Sequence, residues 1–397
     1  MSRIFSLENL TLLSLILAVF FGIYFPAIAQ NIKIFGDVFL NLLKMIIVPL
    51  VFTSVFTAIL NLESISKFKD LGLKAFLYYL TTTAMAVMTG LILVNLLMPG
   101  KEEKPDGLKV PEIPQTEEFS LEKLILGLIP QNPFSSFAQG EVLQIIVFAI
   151  FIGLAVLTID KFKQEIIKNF FEGFNDALIK LTKWIIVFTP IGVFALVSYL
   201  IARVGVDILL SLWEYALTVV VGLLIHAFIN IPLIAFIFGR YNPYKYFVQV
   251  REAPLLAFST ASSAATLPVS IELAQERGRV KKKVSGFVLP LGATINMDGT
   301  ALYESIATVY IANIYGIDLS ISQMMIIFIT VTLASIGAAA IPGAGLILLT
   351  LVLSSVGIPL EGIGLIIAVD RFLDMVRTSV NVWGDLNGAK IIDRFVK

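Results

Sequence analysis

Long apolar runs constrain this chain more than any other feature of its sequence. A helix needs about 20 apolar residues to cross the hydrocarbon core of a bilayer. Runs of about that length lie at 9–29, 36–61, 73–98, 138–158, 178–202 and 207–239. The chain is 57% hydrophobic and only 15% charged, whereas about a quarter of the residues in soluble domains are charged. The sequence therefore predicts an all-α polytopic membrane protein, in which the first run is a spanning helix and not a removed signal peptide.

The composition also excludes several kinds of site and partner. The net charge is zero, so we expect no bulk attraction to nucleic acid and no nucleic-acid partner. The chain has no cysteine, which rules out disulfides, thiolate metal sites and a cysteine nucleophile. The single histidine, His226, lies in an apolar run, where we expect a packed, neutral side chain.

Charged residues between the apolar runs predict the orientation in the membrane. Lysines in 62–74 and 159–168, both interpreted as loops, alternate with the acidic segment 99–121. Short loops rich in lysine and arginine face the cytoplasm. We therefore expect a multi-pass protein of the cytoplasmic membrane with both termini in the cytoplasm.

Two segments in the second half are too polar or too interrupted to be ordinary spans. Basic residues flank 253–276 on both sides, so both flanks are predicted to be cytoplasmic, yet the segment is too short for two crossings. We therefore predict a re-entrant helical hairpin over approximately 243–277. A second hairpin, approximately 323–357, lacks basic flanks and is predicted to enter from the opposite side. A single span kinked at proline is the alternative for each, but opposed broken segments are typical of inverted repeats in secondary transporters.

The last helix carries a line of polar and charged side chains. At 100° per residue they fall within an arc of about 80°. An ionised group at mid-bilayer costs about 2.5–3.5 kcal/mol, so such groups face a bundle interior and usually have a function. Cation binding by the surplus acids is our interpretation, and a salt-bridge stripe between two helices is the alternative. The residues are Asp370, Asp374, Arg377, Asn381 and Asp385.

A second polar cluster, Asn296-Met-Asp-Gly-Thr300, interrupts an apolar stretch. The interruption frees backbone carbonyls, which together with the Asp298 carboxylate are hard oxygen ligands. These ligands suit a small hard cation such as sodium better than a soft metal. A kinked helix with satisfied side chains is the alternative.

Four motifs in order resemble the signatures of the dicarboxylate/amino acid:cation symporters, which include glutamate and aspartate transporters. The motifs are Ser262-Ser-Ala-Ala-Thr-Leu-Pro268, Asn296-Met-Asp-Gly-Thr300, the segment 334–345 and the segment 374–385. The resemblance, to the prokaryotic type, implies eight transmembrane helices and two re-entrant hairpins in an elevator-type homotrimer. It implies a scaffold part at approximately 1–72 and 122–205, and a transport part at approximately 73–98 and 206–397.

The resemblance also assigns roles in substrate binding. Arg377 looks like the residue that binds the side-chain carboxylate of the substrate, because its planar fork fits a carboxylate bidentately. Asp374 would bind the substrate ammonium. The other implied contacts are Ser262, Ser263, Thr300, Ile341, Gly345, Thr378 and Asn381.

Sodium ions are the cotransported ions that the resemblance implies. The first site would use Tyr79, Thr82, Thr83, Asn296 and Asp298, and the second Gly292, Asn296, Asn381 and Asp385. The third would use backbone near Thr294, Met297, Ser335, Ile336 and Ala338. The hydroxyl cluster in Tyr78-Tyr-Leu-Thr-Thr-Thr83 favours the first site, although threonines that bond back to their own helix are the alternative.

Three positions depart from one or another branch of the family. Ala261 and Met375 stand where archaeal and animal relatives, respectively, carry an arginine. We interpret Arg371 as a modulator that supplies the missing positive charge. Glu304 matches the glutamate with which animal relatives carry a proton while potassium returns the empty carrier. A glutamate hydrogen-bonded for structure is the alternative.

The sequence thus predicts a secondary active symporter, not an enzyme, that imports aspartate or glutamate with sodium. Proton cotransport and potassium countertransport are left open. Uptake of C4-dicarboxylates or neutral amino acids is the alternative within the fold. Asp374 argues against the former, since dicarboxylates lack an ammonium, and Arg377 argues against the latter. An intramembrane aspartyl protease is disfavoured because Val382-Trp-Gly-Asp385 lacks the first glycine of the Gly-x-Gly-Asp element, and a pure anion channel would not need ion-coupled binding.

Overall fold

The computed structural model describes residues 7–61, 71–101, 126, 129–204, 208–335 and 343–396. Within these ranges every regular element is helical and no residue lies in a β-strand, which confirms the predicted all-α class. The helices are α1 (Leu7–Tyr24), α2 (Pro26–Asn31), α3 (Lys33–Leu60), α4 (Leu73–Leu97), α5 (Pro133–Gln139), α6 (Val142–Val156), α7 (Lys161–Ile186), α8 (Thr189–Val204), α9 (Ile208–Ile225, continued through two π-helical turns to Gly239), α10 (Pro243–Val250), α11 (Glu252–Thr260), α12 (Ser263–Glu276), α13 (Lys282–Ile295), α14 (Asp298–Ile314), α15 (Ile321–Ala334), α16 (Ala344–Ser355) and α17 (Ile363–Arg394).

One predicted loop is a helix. The segment 159–168 was expected to be a basic loop, but α7 begins at Lys161. The Asp160 side chain caps this helix by accepting the backbone N–H of Phe162 at 3.0 Å, a favoured way to satisfy the first free N–H groups of a helix. The prediction counted lysines and overlooked this capping signal. Most of the segments 62–74 and 99–121 lies outside the described residues.

One predicted span is divided between two helices. The run 178–202 is shared by α7 and α8, whose axes are bent by 51° between Ile186 and Thr189. Pro190 follows the start of α8. Proline has no N–H and is tolerated in the first turn of a helix but not in its interior. The run is therefore a bent pair of helices and not one continuous helix.

Several described helices have the length and apolarity of membrane spans. They are Pro26–Thr57, Leu73–Leu97 and Leu212–Gly239, with the bent pair α7–α8 as a fourth if it is counted as one span. Helix α17 has 32 residues, or about 48 Å, but carries the charged line described above. These helices fit a polytopic membrane protein, and the number of eight spans stays a prediction.

The first predicted hairpin consists of two short helices joined by a tight turn. Helices α11 and α12 contact each other, and their outer ends are joined by an ion pair of 2.7 Å between Glu252 and Arg277. The chain reverses at Ala261, whose φ is +48°, and Ser262 caps α12. The two helices have 9 and 14 residues, or about 14 and 21 Å, less than the hydrocarbon core of about 30 Å. A single kinked span is therefore wrong for this segment.

The second predicted hairpin comprises α15 and α16. These helices have 14 and 12 residues, contact each other, and both contact α14. The segment 336–342 between them, which contains the predicted tip, lies outside the described residues.

Helix α14 is the centre of the second half of the chain. Every residue from Asp298 to Ile314 is buried except Asn313. Its neighbours are α4, α9, α15, α16 and α17. Helices α1, α3, α6, α7 and α8 pack together in the first half. The polar residues of α14 therefore face other helices and not the surroundings of the protein.

Replacement of Met98 by glycine should raise the free energy of unfolding by about 1 kcal/mol. Met98 follows the last residue of α4 with φ +48°, a left-handed conformation that a Cβ disfavours and glycine adopts freely. Its side chain is half exposed, so few contacts are lost. Thermal unfolding of the purified protein in detergent measures the change. Leu97→Gly, one residue earlier inside the helix, should lower stability by about 1 kcal/mol, and an equal effect of the two variants would refute the argument.

Candidate functional site

The polar residues of α17 lie on its buried side. Asp370, Asp374, Arg377, Asn381 and Asp385 all expose less than a tenth of their surface, and Arg377 exposes none. The spacing of three or four residues places them on one face of the helix. The predicted inward line of charge is therefore present in the structure.

Arg377 binds two carboxylates of its own helix. Its Nη2 donates to Asp374 Oδ1 at 2.9 Å, and Nη1 lies 3.0 Å from Asp370 Oδ1 without hydrogen-bond geometry. The guanidinium carbon lies 3.8 Å from the centre of the Tyr303 ring, close enough for a cation–π contact. Nε and Nη1 have no hydrogen-bond partner among the described residues. Because a buried donor without a partner is unfavourable, these N–H groups suit a carboxylate ligand.

Residues at the start of the second helix of the second hairpin lie next to Asp374 and Arg377. The backbone N–H of Gly343 donates to Asp374 Oδ2 at 3.1 Å. A Cβ added at Gly345 would lie 3.2 Å from the methyl of Thr300 and 3.3 Å from Arg377 Nη1, so a larger residue would crowd this pocket. The structure thus brings Thr300, Gly345, Asp374 and Arg377 together. Predicted contact Ile341 lies outside the described residues.

The other described substrate-contact residues are buried or hydrogen-bonded to groups other than the Arg377 side chain. Thr378 is buried but donates its hydroxyl to the Asp374 carbonyl at 2.8 Å. Ser263 is buried at the start of α12, and Ser262 caps that helix. The first hairpin contacts α17 at Ser379, whose Oγ donates to the carbonyl of Pro254 on α11 at 2.9 Å.

Four oxygen-bearing side chains meet at the break between α13 and α14. Asn296 Nδ2 donates to Asp385 Oδ1 at 2.8 Å, and Asn381 Oδ1 accepts the Gly299 N–H at 2.7 Å. Asn296 Oδ1 is buried without a hydrogen-bond partner in the described structure. Two carboxylates, those of Asp298 and Asp385, and an unpartnered amide oxygen form a donor set that fits a hard cation.

Helix α4 contributes hydroxyl groups to this cluster. Thr83 Oγ1 donates to Asp298 Oδ1 at 2.7 Å. Tyr79 donates to the Val288 carbonyl at 2.9 Å, and a Cβ added at Gly292 would collide with the Tyr79 hydroxyl and an Asp385 oxygen. Thr82 bonds back to its own helix at 3.1 Å, which is the alternative that the sequence left open.

The third predicted cation site would use backbone groups, so it stays a prediction that the side-chain contacts of its members do not test. The Thr294 side chain is exposed and donates to its own helix at 2.8 Å. Met297 Sδ lies 3.3 Å from Asn381 Nδ2, and Ser335 bonds back to Thr332. The remaining members, Ile336 and Ala338, lie outside the described residues.

Sequence reasoning missed two residues of the site. Asp370 was seen in the polar line but was not assigned to Arg377, although a separation of seven residues is two helical turns. His226 is fully buried, as expected of a packed side chain, but its Nε2 lies 3.2 Å from Asp298 Oδ2. Its Nδ1 lies 3.3 Å from Asn230 Nδ2, so the tautomer that accepts from Asn230 donates to Asp298. Nothing in the sequence links two residues 72 positions apart.

Residues 7–395 match the family model that is described as the sodium:dicarboxylate symporter family. This chain belongs to that family. Excitatory amino acid transporter 3 of Mus musculus is 36% identical over 100% of this chain and 87% of its own length. Excitatory amino acid transporter 3 of Homo sapiens is 37% identical, over 91% and 79%. The proton/sodium-glutamate symport protein of Geobacillus stearothermophilus is 33% identical, over 96% and 93%. The resemblance read from the motifs is confirmed.

Two further residues of this symporter lie beside the site. Glu304 follows Thr300 by one turn of α14 and is fully buried, and neither carboxyl oxygen has a hydrogen-bond partner among the described residues. The alternative of a glutamate hydrogen-bonded for structure therefore has no bond to support it. Arg371 is half-buried next to Asp370, and its predicted role as a modulator stays a prediction.

Sodium should stabilise this symporter against heat, and Asp385→Asn should weaken the effect. Each tenfold rise in sodium above the dissociation constant adds about 1.4 kcal/mol per bound ion, and the variant removes a carboxylate from the oxygen cluster. Thermal unfolding in increasing sodium chloride, with potassium chloride at equal ionic strength as reference, measures this slope. Asp318→Asn, at an exposed aspartate, should keep the slope of the unmodified protein. Equal slopes for all three proteins would exclude Asp385 as a cation ligand.

Proposed function

We propose that this protein imports an acidic amino acid, aspartate or glutamate, across the cytoplasmic membrane with sodium. The observation that carries the proposal is the fully buried Arg377, which is bound to two carboxylates and lies two helical turns before Asp385 of the oxygen cluster. Substrate and cation groups thus lie on one face of one helix. The names of the relatives, which are glutamate or excitatory amino acid transporters, support the same substrate class.

An acidic amino acid matches this site group by group. Nε and Nη1 of Arg377, which form no hydrogen bond with the described residues although Nη1 lies near Asp370, would bind the side-chain carboxylate bidentately. Asp374 would bind the ammonium, and backbone of the second hairpin near Gly343 would bind the α-carboxylate. Dicarboxylates offer no ammonium to Asp374, and neutral amino acids offer no second carboxylate to Arg377. The alternatives within the fold therefore fit less well. The further contacts proposed are Ser262, Ser263, Thr300, Ile341, Gly345, Thr378 and Asn381.

Sodium binding supplies the driving force. Suppose that about three ions accompany one monoanionic substrate, so that two net charges move inward. A tenfold gradient gives about 1.4 kcal/mol per ion, and about 100 mV gives about 2.3 kcal/mol per charge. The sum of roughly 9 kcal/mol supports about six decades of accumulation. The proposed ligands are Tyr79, Thr82, Thr83, Gly292, Asn296, Asp298, Asn381 and Asp385, with backbone near Thr294, Met297, Ser335, Ile336 and Ala338 as the third set.

We also infer an elevator-type homotrimer with eight transmembrane helices and two re-entrant hairpins. The first-half helices contact one another more extensively than they contact α13, α15, α16 and α17, which supports a scaffold part at approximately 1–72 and 122–205. The transport part would be approximately 73–98 and 206–397. The hairpin helices are too short to cross a bilayer, which supports re-entrance. Lysines and arginines at both ends of the first hairpin support a cytoplasmic entry and cytoplasmic termini.

Uptake into liposomes tests the proposal. Purified protein should accumulate labelled aspartate when an inward sodium gradient is imposed, and proton and potassium gradients applied separately would identify any further coupled ion. Arg377→Lys should abolish accumulation, because lysine keeps the charge but not the planar fork. Arg277→Lys, at an exposed arginine outside the site, should retain it. Equal uptake with and without sodium would refute sodium coupling, and full uptake by Arg377→Lys would refute the binding mode.

Glu304→Gln should remove the pH dependence of uptake if Glu304 carries a proton. A buried carboxylate without a hydrogen-bond donor is unfavourable, so the side chain suits binding and release of a proton during the cycle. The measurement is the initial rate of aspartate uptake over a series of pH values around neutrality. Glu304→Asp, which keeps the carboxyl group, is the matched control and should remain pH-dependent. A Gln variant with an unaltered pH profile would contradict the role.

A further inference from the structure

A cavity of about 340 Å³ opens outside the substrate and cation site. It lies between the start of α4, the end of α9 and the end of α17, and we call it the α4–α9–α17 groove. Its walls are apolar and include Leu77, Ile234, Phe238 and Ile392. The Thr81 hydroxyl, at the far end, donates to its own helix at 2.7 Å, so it adds no polar wall. A small polar solute therefore finds little to bind along these walls.

The mouth of the groove is positively charged. Lys74 lies at the rim and donates to the Phe395 carbonyl at 3.2 Å. Arg394 donates to the Phe238 carbonyl at 2.7 Å, and exposed Arg240 follows the end of α9. A guanidinium carries five N–H groups, so Arg394 can bind a carbonyl and an anion at the same time, and Lys74 adds a second positive charge. The rim therefore suits an anionic group.

The depth of the groove suits a lipid chain. From Lys74 to Thr81 the groove follows α4 for seven residues, or about 10 Å along the helix axis. Leu77, Phe238 and Phe395 are each about half exposed, so the apolar walls are open to the side, as at a surface that faces lipid. A charged rim above an apolar channel of this length matches a headgroup with the first part of an acyl chain.

We propose that the α4–α9–α17 groove binds one anionic phospholipid. Its phosphate would lie at Lys74 and Arg394, and an acyl chain would follow Leu77 towards Thr81. Basic pockets between membrane helices at the cytoplasmic side are typical sites for anionic headgroups. The lysine-containing segment 62–74 predicts that this end of the bundle is the cytoplasmic one. A phosphodiester has oxygens enough to reach both cations, and the adjacent leaflet supplies it at high concentration.

Native mass spectrometry of the complete chain with defined lipids tests this site. After removal of bound lipid, the protein is titrated with phosphatidylglycerol, with phosphatidylcholine of the same chains, and with oleate. We expect one phosphatidylglycerol to be retained in preference to the other two. The double variant Lys74→Gln/Arg394→Gln should lower the preference over phosphatidylcholine about fivefold per charge removed. Thr81→Trp, which fills the groove without a change of charge, should abolish retention.

Lys163→Gln is the matched control, because it removes an exposed lysine on α7. It should retain the lipid like the unmodified protein. Thermal unfolding of each variant separates loss of the site from loss of the fold, and an unfolded double variant leaves Thr81→Trp as the deciding comparison. Equal retention by Thr81→Trp and the unmodified protein would overturn the site. Equal retention of phosphatidylcholine would overturn the anionic headgroup, and stronger retention of oleate would identify a fatty acid instead.

Discussion

A buried arginine that is bound to two carboxylates of its own helix is the interaction on which the rest of this structure depends. An unpaired charge in a low-dielectric interior is strongly destabilising, so Arg377 requires partners wherever it is placed. Asp370 and Asp374 supply them from two turns and one turn away, which requires α17 to be continuous through this stretch. Two of the three acids in the line therefore balance the arginine, and only Asp385 lies in the oxygen cluster. The salt bridges lie within one helix and do not join two.

The break between α13 and α14 completes the arrangement. If the helix continued through Asn296, the backbone groups near it would be used in helical hydrogen bonds. The interruption turns Asn296 towards Asp385 and lets Asn381 accept the Gly299 N–H. Asn381 lies one turn after Arg377 and one turn before Asp385. A displacement of this part of α17 by a substrate would thus move a residue of the cation cluster, which is a direct physical route for coupling between the two sites.

The sequence predicted the chain reversal at Ala261 better than it predicted the helix boundaries of the first half. The basic residues on both flanks of 253–276 favoured a reversal over a single crossing, and the ion pair between Glu252 and Arg277 shows the reversal. The same counting of lysines failed at 159–168, where the Asp160 cap begins α7. Local signals of capping and proline placement outweighed charge there, because a helix end must satisfy its free N–H groups.

By itself, the sequence determined the helical class, the burial of a charged line on the last helix, the polar interruption at Asn296 and the family. The first three follow from hydropathy and from spacing along one segment, which short-range geometry fixes, and the family follows from the resemblance of four motifs. Only the tertiary structure decided which acids pair with Arg377, that His226 contacts Asp298, and that three helix ends form a groove with a basic rim. The last two are contacts between distant parts of the chain. The pairing of Arg377 lies within one helix, where Tyr303 of α14 packs against the guanidinium. All three depend on how helices pack, which no local pattern records.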